Sequence, residues 1–138
     1  MSLLDKLLKA DCNKLAEKET AEFEIPRLSH IMGEPFVLKL KEISSERLSE
    51  IAEDNTEYSK NGRVKSQDSY KIGLDTVLEG TVDPDFRDKD LMKKFGVITP
   101  YDLLNKLFKM GELTKIANEI TKLCGVSSQN DVDELVKN

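Results

Sequence analysis

The sequence predicts an α+β fold that is mostly α-helical, with a small N-terminal β-hairpin followed by about five helices. Three observations predict it. Phe36, Leu38 and Leu40 alternate with Val37, Lys39 and Lys41, the period of a half-buried strand. From Ser44 onward, apolar residues recur three and four positions apart, the period of a helix facing a core. Strand-like segments precede the helical ones instead of alternating with them, which argues against a doubly wound α/β sheet.

At the N-terminus, Leu3, Leu4, Leu7 and Leu8 recur at helical spacing behind Ser2, a good N-cap residue. So short a helix is marginal alone and must dock on something. Two readings stay open: an arm that covers this chain's own core, or one that grips a neighbouring subunit. The period then changes. Phe23, Ile25 and Leu28 suggest one strand and Phe36 to Lys41 a second, with Gly33 supplying turn chemistry between them. Pro26 and Pro35 confine these strands to edge or terminal positions.

Ser44 can cap a helix carrying Leu48, Ile51 and Ala52 on one face. Tyr58 to Ser66 contains Asn61-Gly62 and three basic residues, and reads as a mobile loop. Ser66 opens a helix with Tyr70, Leu74, Val77 and Leu78 on one side; Gly73 weakens it by about 1 kcal/mol relative to Ala, and Gly80 ends it. Val82 to Phe86 reads as a turn. Asp88 caps a short helix closed by Gly96, and Thr99-Pro100 starts another, with Pro where its missing N–H costs nothing. That helix is expected to break or bend at Gly111. Leu113, Ile116, Ala117, Ile120 and Leu123 continue the face up to Gly125, and a last short helix is expected from about Asp131 to Val136. The chain thus divides into an N-terminal helical arm (1–21), a main domain of hairpin plus helices (22–126) and a C-terminal short helix or tail (127–138).

Composition narrows the function. The 138 residues carry 26 acidic and 21 basic side chains, a net charge of -5. Nucleic-acid binding needs a basic face, and no cluster of Lys and Arg interleaved with aromatics occurs. No apolar run approaches the ~20 residues that span a bilayer. Met1 to Lys6 lacks the basic segment and unbroken apolar stretch of a secretory signal, so a cytoplasmic protein is expected, with Cys12 and Cys124 as free thiols.

Signs of catalysis are lacking. His30 is the single histidine and carries no flanking signature of a nucleophile dyad or triad. Asp83, Asp85, Asp88 and Asp90 resemble the start of a calcium loop. Counted from Asp83, however, Arg87 stands at a ligand position, Asp88 where the turn glycine belongs, and Lys94 where the bidentate Glu belongs. Those aspartates suit a turn and a helix N-terminus instead. There is no phosphate-binding glycine loop. No catalytic residue, metal ligand or cofactor is therefore assigned. A small hydrolase built on Asp83, Asp85 and His30 is the remaining enzymatic alternative.

What is left is surface. The apolar stripe from Leu103 to Cys124 is either the domain core or, in part, a groove for an amphipathic helix of a partner. The candidate partner-binding residues are Leu3, Leu4, Leu7 and Leu8 in the arm, and Leu104, Leu107, Phe108, Leu113, Ile116 and Ile120 in the stripe.

An ordered set of segments carries a family likeness: Ile25-Pro26-Arg27-Leu28, Phe36 to Lys39, Asp83-Pro84-Asp85-Phe86-Arg87-Asp88-Lys89-Asp90-Leu91, Lys94 to Leu104, Gly111-Glu112-Leu113, and Leu123-Cys124-Gly125. In these segments the chain resembles the XkdN-like tail assembly chaperones of contractile-tailed phages and phage-like prophage elements, over roughly Glu22 to Val126. The resemblance implies a non-catalytic protein that binds the tape measure protein, and other tail proteins, before the tail tube polymerises. It implies solubility of that partner as the purpose, absence from the finished particle, and often a longer frameshifted product. A homo-oligomer is compatible with this. The alternative is a structural tail component or interaction adaptor retained in the particle.

Overall fold

A computed structural model describes residues 2–126, so the short helix expected from about Asp131 to Val136 lies outside the described residues. Chain order begins with α1 (Leu3–Lys9), α2 (Cys12–Leu15), β1 (Thr20–Glu24), α3 (Pro26–Met32), β2 (Val37–Lys41) and α4 (Ser45–Asp54). It continues with β3 (Thr56–Tyr58), β4 (Val64–Gln67), α5 (Ser69–Gly80) and β5 (Thr81–Asp83). It ends with α6 (Lys89–Lys94), α7 (Pro100–Leu107) and α8 (Met110–Leu123). The class is α+β as expected. The N-terminal hairpin and the helix count are not: eight helices lie among the described residues.

The segment expected as a hairpin loop is a helix. β1 and β2 are antiparallel neighbours, with Phe23 opposite Leu38 and Glu22 opposite Lys39, but α3 connects them. Pro26 occupies the first turn of α3, and Gly33, at φ 72°, ends it in the left-handed conformation. Proline just inside the start and glycine just past the end mark a helix, and that signal overrides the reading of Pro26 as a strand terminator. Leu28 accordingly reaches the core from a helix. The Ser29 hydroxyl accepts a hydrogen bond from the Phe36 N–H at 2.8 Å, stitching α3 to the chain entering β2.

β2 is the centre of a three-stranded sheet ordered β1-β2-β5. Its alternation is as read: Leu38 and Leu40 are fully buried, while Val37, Lys39 and Lys41 face solvent. β5 comes from residues expected to form a turn; Thr81 pairs with Leu40 and Asp83 with Lys39. On the outer face Glu22, Lys39 and Asp83 lie side by side, an alternation of charge that suits a solvated face.

The tight hairpin lies elsewhere. β3 and β4 pair Thr56 with Gln67 and Tyr58 with Val64. Their connection contains Asn61-Gly62, with Gly62 at φ 83°. The segment expected as a mobile loop is therefore a closed ribbon, because Asn-Gly is itself a hairpin signal. Asp68, not Ser66, caps α5, its carboxylate accepting from the Lys71 N–H at 3.0 Å.

α8 packs along α5 and across β1 and β2. Leu38, Leu40, Val77, Leu103, Leu104, Ile116 and Ile120 form the driest part of one continuous core. α5 and α8 approach closely at Gly80, where a Cβ would stand 2.6 Å from Cγ2 of Ile120. Phe108 meets Phe86 edge-on at 5.6 Å between ring centroids.

The break between α7 and α8 falls at Phe108 and Lys109, so Gly111 sits inside the first turn of α8. An ion pair fixes the corner. The Arg27 guanidinium donates to Glu112 through Nε at 3.0 Å and Nη2 at 2.8 Å, and Nη2 also donates to the Leu107 carbonyl at 2.9 Å. The hydrogen bond from Arg27 holds the Glu112 carboxyl below its ordinary value, aided by the Lys109 N–H. A depressed carboxyl contributes stability that is complete above the unfolded value of about 4.5 and is lost as pH falls through the folded value. Glu112→Gln should flatten the acid limb of a stability–pH curve below that point, as followed by urea unfolding. An unchanged limb would count against this pair as its source.

Candidate partner-binding surface

The arm begins with a complete capping box. The Asp5 N–H donates to the Ser2 hydroxyl at 3.1 Å, and the Ser2 N–H donates to the Asp5 carboxylate at 3.3 Å. Lys6 and Lys9 sit in the last turn, where positive charge complements the helix dipole. Asp11 caps α2 through its carboxylate alone, accepting from the Asn13 N–H at 3.0 Å. The sequence thus specifies helix here, yet neither helix buries a residue.

Leu3, Leu4, Leu7 and Leu8 are 72%, 64%, 52% and 75% exposed. Their i, i+4 spacing aligns them in two adjacent rows, a continuous apolar strip one helix wide. Leu15 of α2 is exposed as well. The arm does not cover this chain's own core, which removes one of its two sequence readings. Four exposed leucines within seven residues leave a surface that gains by being covered.

The stripe has the opposite fate. Leu104, Ile116 and Ile120 are fully buried, Phe108 and Leu113 nearly so, and Leu107 is half-buried. The structure places these candidates in the interior, where the folded chain does not offer them to a partner. Periodicity alone did not distinguish a core-facing stripe from a groove-facing one, because both have a 3.6-residue repeat.

A second apolar surface was missed. Tyr70, Gly73 and Leu74 of α5 face Met110, Leu113 and Thr114 of α8 across a small groove of about 50 Å³. Leu74 and Leu113 form its floor, and the exposed Tyr70 and Met110 its rims. A Cβ at Gly73 would meet nothing within 4 Å. The sequence signal was Gly73 itself, a glycine within a helix that no turn requires.

Two of the four clustered aspartates hold turn and helix N–H groups. Asp85 accepts from the Arg87 N–H at 3.0 Å and Asp88 from the Leu91 N–H at 2.8 Å. His30 is exposed on α3, and no hydrogen bond joins it to Asp83 or Asp85 among the described residues. Asp75 accepts from the Asn55 amide at 2.9 Å and from the Tyr101 hydroxyl, tying α4, α5 and α7 together. That second bond raises the Tyr101 phenol above its ordinary range, keeping it a donor. Cys12 is exposed and Cys124 half-buried, both as free thiols. Among the described residues, no three His, Cys, Asp or Glu side chains converge as metal ligands, and no helix is long and apolar enough to cross a membrane.

Comparison with known proteins gives a consistent result. The family model described as "Phage XkdN-like tail assembly chaperone protein, TAC" matches residues 4–137. The match takes in the arm and runs past Val126, beyond both ends of the likeness read from the sequence. Over 109 residues the chain is 31% identical to "Phage-like element PBSX protein XkdN" of Bacillus subtilis (strain 168), covering 75% of this chain and 72% of that protein. It is 28% identical over 130 residues to "Uncharacterized protein YqbN" of the same strain, covering 87% and 86% respectively. A crystal structure of the protein yqbn superposes with a TM-score of 0.58 at 23% identity, over 79% of this chain and 88% of that one, a likeness of fold.

Proposed function

Because the chain belongs to the XkdN-like phage tail assembly chaperone family, we propose that it binds a tail polypeptide, the tape measure protein, and keeps it soluble in the host cytoplasm until the tail tube forms. No covalent chemistry is part of this role. The observation that carries it is the strip of Leu3, Leu4, Leu7 and Leu8, held on a capped helix outside the core. An apolar helix face on a tethered arm can pair with the apolar face of a long helical partner. A net charge of -5 keeps the complex dispersed while apolar surface is being covered.

Co-expression with the tape measure protein tests the reading. The wild-type chain should hold that protein in the soluble fraction and co-purify with it. Leu4→Ser/Leu8→Ser should reduce the soluble partner on the order of tenfold while the chaperone itself stays folded. No rescue by the wild-type chain would sink the proposal. Stoichiometric presence in purified particles would point instead to a structural tail component.

A further inference from the structure

We propose that copies of this chain associate head to tail, the bare edge of β1 in one copy taking β4 of the next as an added antiparallel strand. The inference concerns the two sheet edges and is independent of the arm that carries the proposed function.

Both edges are open. Among the described residues, β1 has β2 as its one neighbour strand and β4 has β3. Beside β1, the Glu19 carbonyl accepts from the Glu42 N–H at 2.9 Å and the Ile25 N–H donates to the Phe36 carbonyl at 3.0 Å. Antiparallel pairing alternates along a strand, so Thr20, Glu22 and Glu24 turn their backbone groups outward. In the ribbon the Asp68 N–H donates to the Asn55 carbonyl at 2.8 Å, so Gln67 and Lys65 turn theirs outward from β4. The ribbon gains most from a third strand. Apart from half-buried Thr56 both of its strands are exposed, and a two-stranded ribbon is barely stable by itself.

Charge selects the pairing. Residues 56–67 hold Lys60, Arg63 and Lys65 against Glu57 alone, on a chain of net charge -5. None of these cations has an ion-pair partner among the described residues. β1 carries Glu22 and Glu24 and no cation. Laid antiparallel with their outward residues facing, the two edges put Glu22 opposite Lys65 and Thr20 opposite Gln67. Arg63 follows on the Glu24 side, beyond the irregularity in the ribbon. Two β4 edges paired about their middle would instead set Lys65 against Lys65, and two β1 edges bring no cation to each other. The contact therefore joins unlike edges, and such a heterologous contact repeats into a row or closes into a ring. One short strand pair buries well under the ~1,200 Å² of stable interfaces, so each contact is weak, with a dissociation constant on the order of 0.1–1 mM.

Sedimentation from about 10 μM to about 1 mM should show the wild-type mass rising above that of the monomer. Glu22→Lys and Lys65→Glu should each weaken association at least about fivefold. Glu22→Lys/Lys65→Glu in one chain should restore it, because unlike edges again carry opposite charge while like edges still repel. All three substitute exposed residues, so melting temperatures should stay close to wild type. As a second measurement, Thr20→Cys chains mixed with Gln67→Cys chains, both also carrying Cys12→Ser, should form a disulfide between the two kinds of chain under mild oxidation. A wild-type chain that stays monomeric to the top of the range would overturn the pairing. So would a single charge reversal without effect, a folded double variant that fails to recover, or Thr20→Cys chains cross-linking among themselves as readily as in the mixture. Leu4→Ser/Leu8→Ser should leave the association unchanged, and its loss there would assign the contact to the arm instead. The client assay stands apart: a Lys65→Glu chain that no longer associates but still solubilises the tape measure protein leaves the proposed function intact.

Discussion

Ile116→Ala is expected to lower the free energy of unfolding by about 2–5 kcal/mol. Ile116 is fully buried on α8, within the core that joins α5 to the inner face of the sheet. Truncation there loses transfer energy and leaves a cavity that packed neighbours only partly close. A domain of this size has about 5–15 kcal/mol in total, so the loss is a large fraction, visible as a lower urea midpoint and a melting temperature lower by several degrees per kcal/mol. Leu4→Ala is the control. It removes the same kind of side chain from an exposed position and should stay within about 0.5 kcal/mol of wild type. The reverse ranking would overturn the division between an interior stripe and an exterior arm.

Gly80→Ala should be destabilising although alanine is the better helix residue by about 1 kcal/mol. The added methyl would stand 2.6 Å from Cγ2 and 2.7 Å from Cδ1 of Ile120, which is itself fully buried. Either α5 and α8 move apart or Ile120 leaves its rotamer, and overpacking of this kind costs about 1–3 kcal/mol. Ile120→Val removes Cδ1 and should return part of that loss when combined with Gly80→Ala. A double-mutant cycle measured by denaturant unfolding reads the coupling directly. Strict additivity would show that the close approach at Gly80 is not the source of the loss.

The parts of the fold legible in the sequence were those whose signals had a single meaning. Leu38 and Leu40 alternate with charged neighbours and lie on the inner face of a strand. Ser44, Asp88 and Thr99 cap helices as read, each side chain accepting a hydrogen bond from a first-turn N–H. Misreadings arose where one residue type serves two structures. Pro26 ends a strand or begins a helix, and the chain uses the second option. Asn61-Gly62 marks a loose loop or a tight ribbon, and here the flanking Tyr58 and Val64 pair. Gly111 can break a helix, but the Arg27–Glu112 pair places the corner two to three residues earlier, a long-range contact that no local window contains. β5 was invisible for a similar reason: three residues become a strand only because β2 offers a free edge.

The candidate surface was half legible. The arm leucines stood out because no other feature of residues 2–9 competes with them. The stripe from Leu104 to Ile120 carried the same periodicity but proved to be interior, and the groove beside it depends on side chains from two helices forty residues apart in sequence, Tyr70 and Met110. Convergence of that kind is a property of packing, which a linear pattern does not encode.

The outer margin of the sheet bears on how copies of this protein avoid meeting like edge to like edge. β1 borders β2 on one side only, so its other side offers unpaired backbone groups to any strand that approaches. If two β1 strands met antiparallel about their midpoint, Glu22 would oppose Glu22 and Glu24 would face Thr20, bringing carboxylates together across the seam. That repulsion guards the edge against fibrous stacking, so separate copies resist knitting into amyloid-like ribbons.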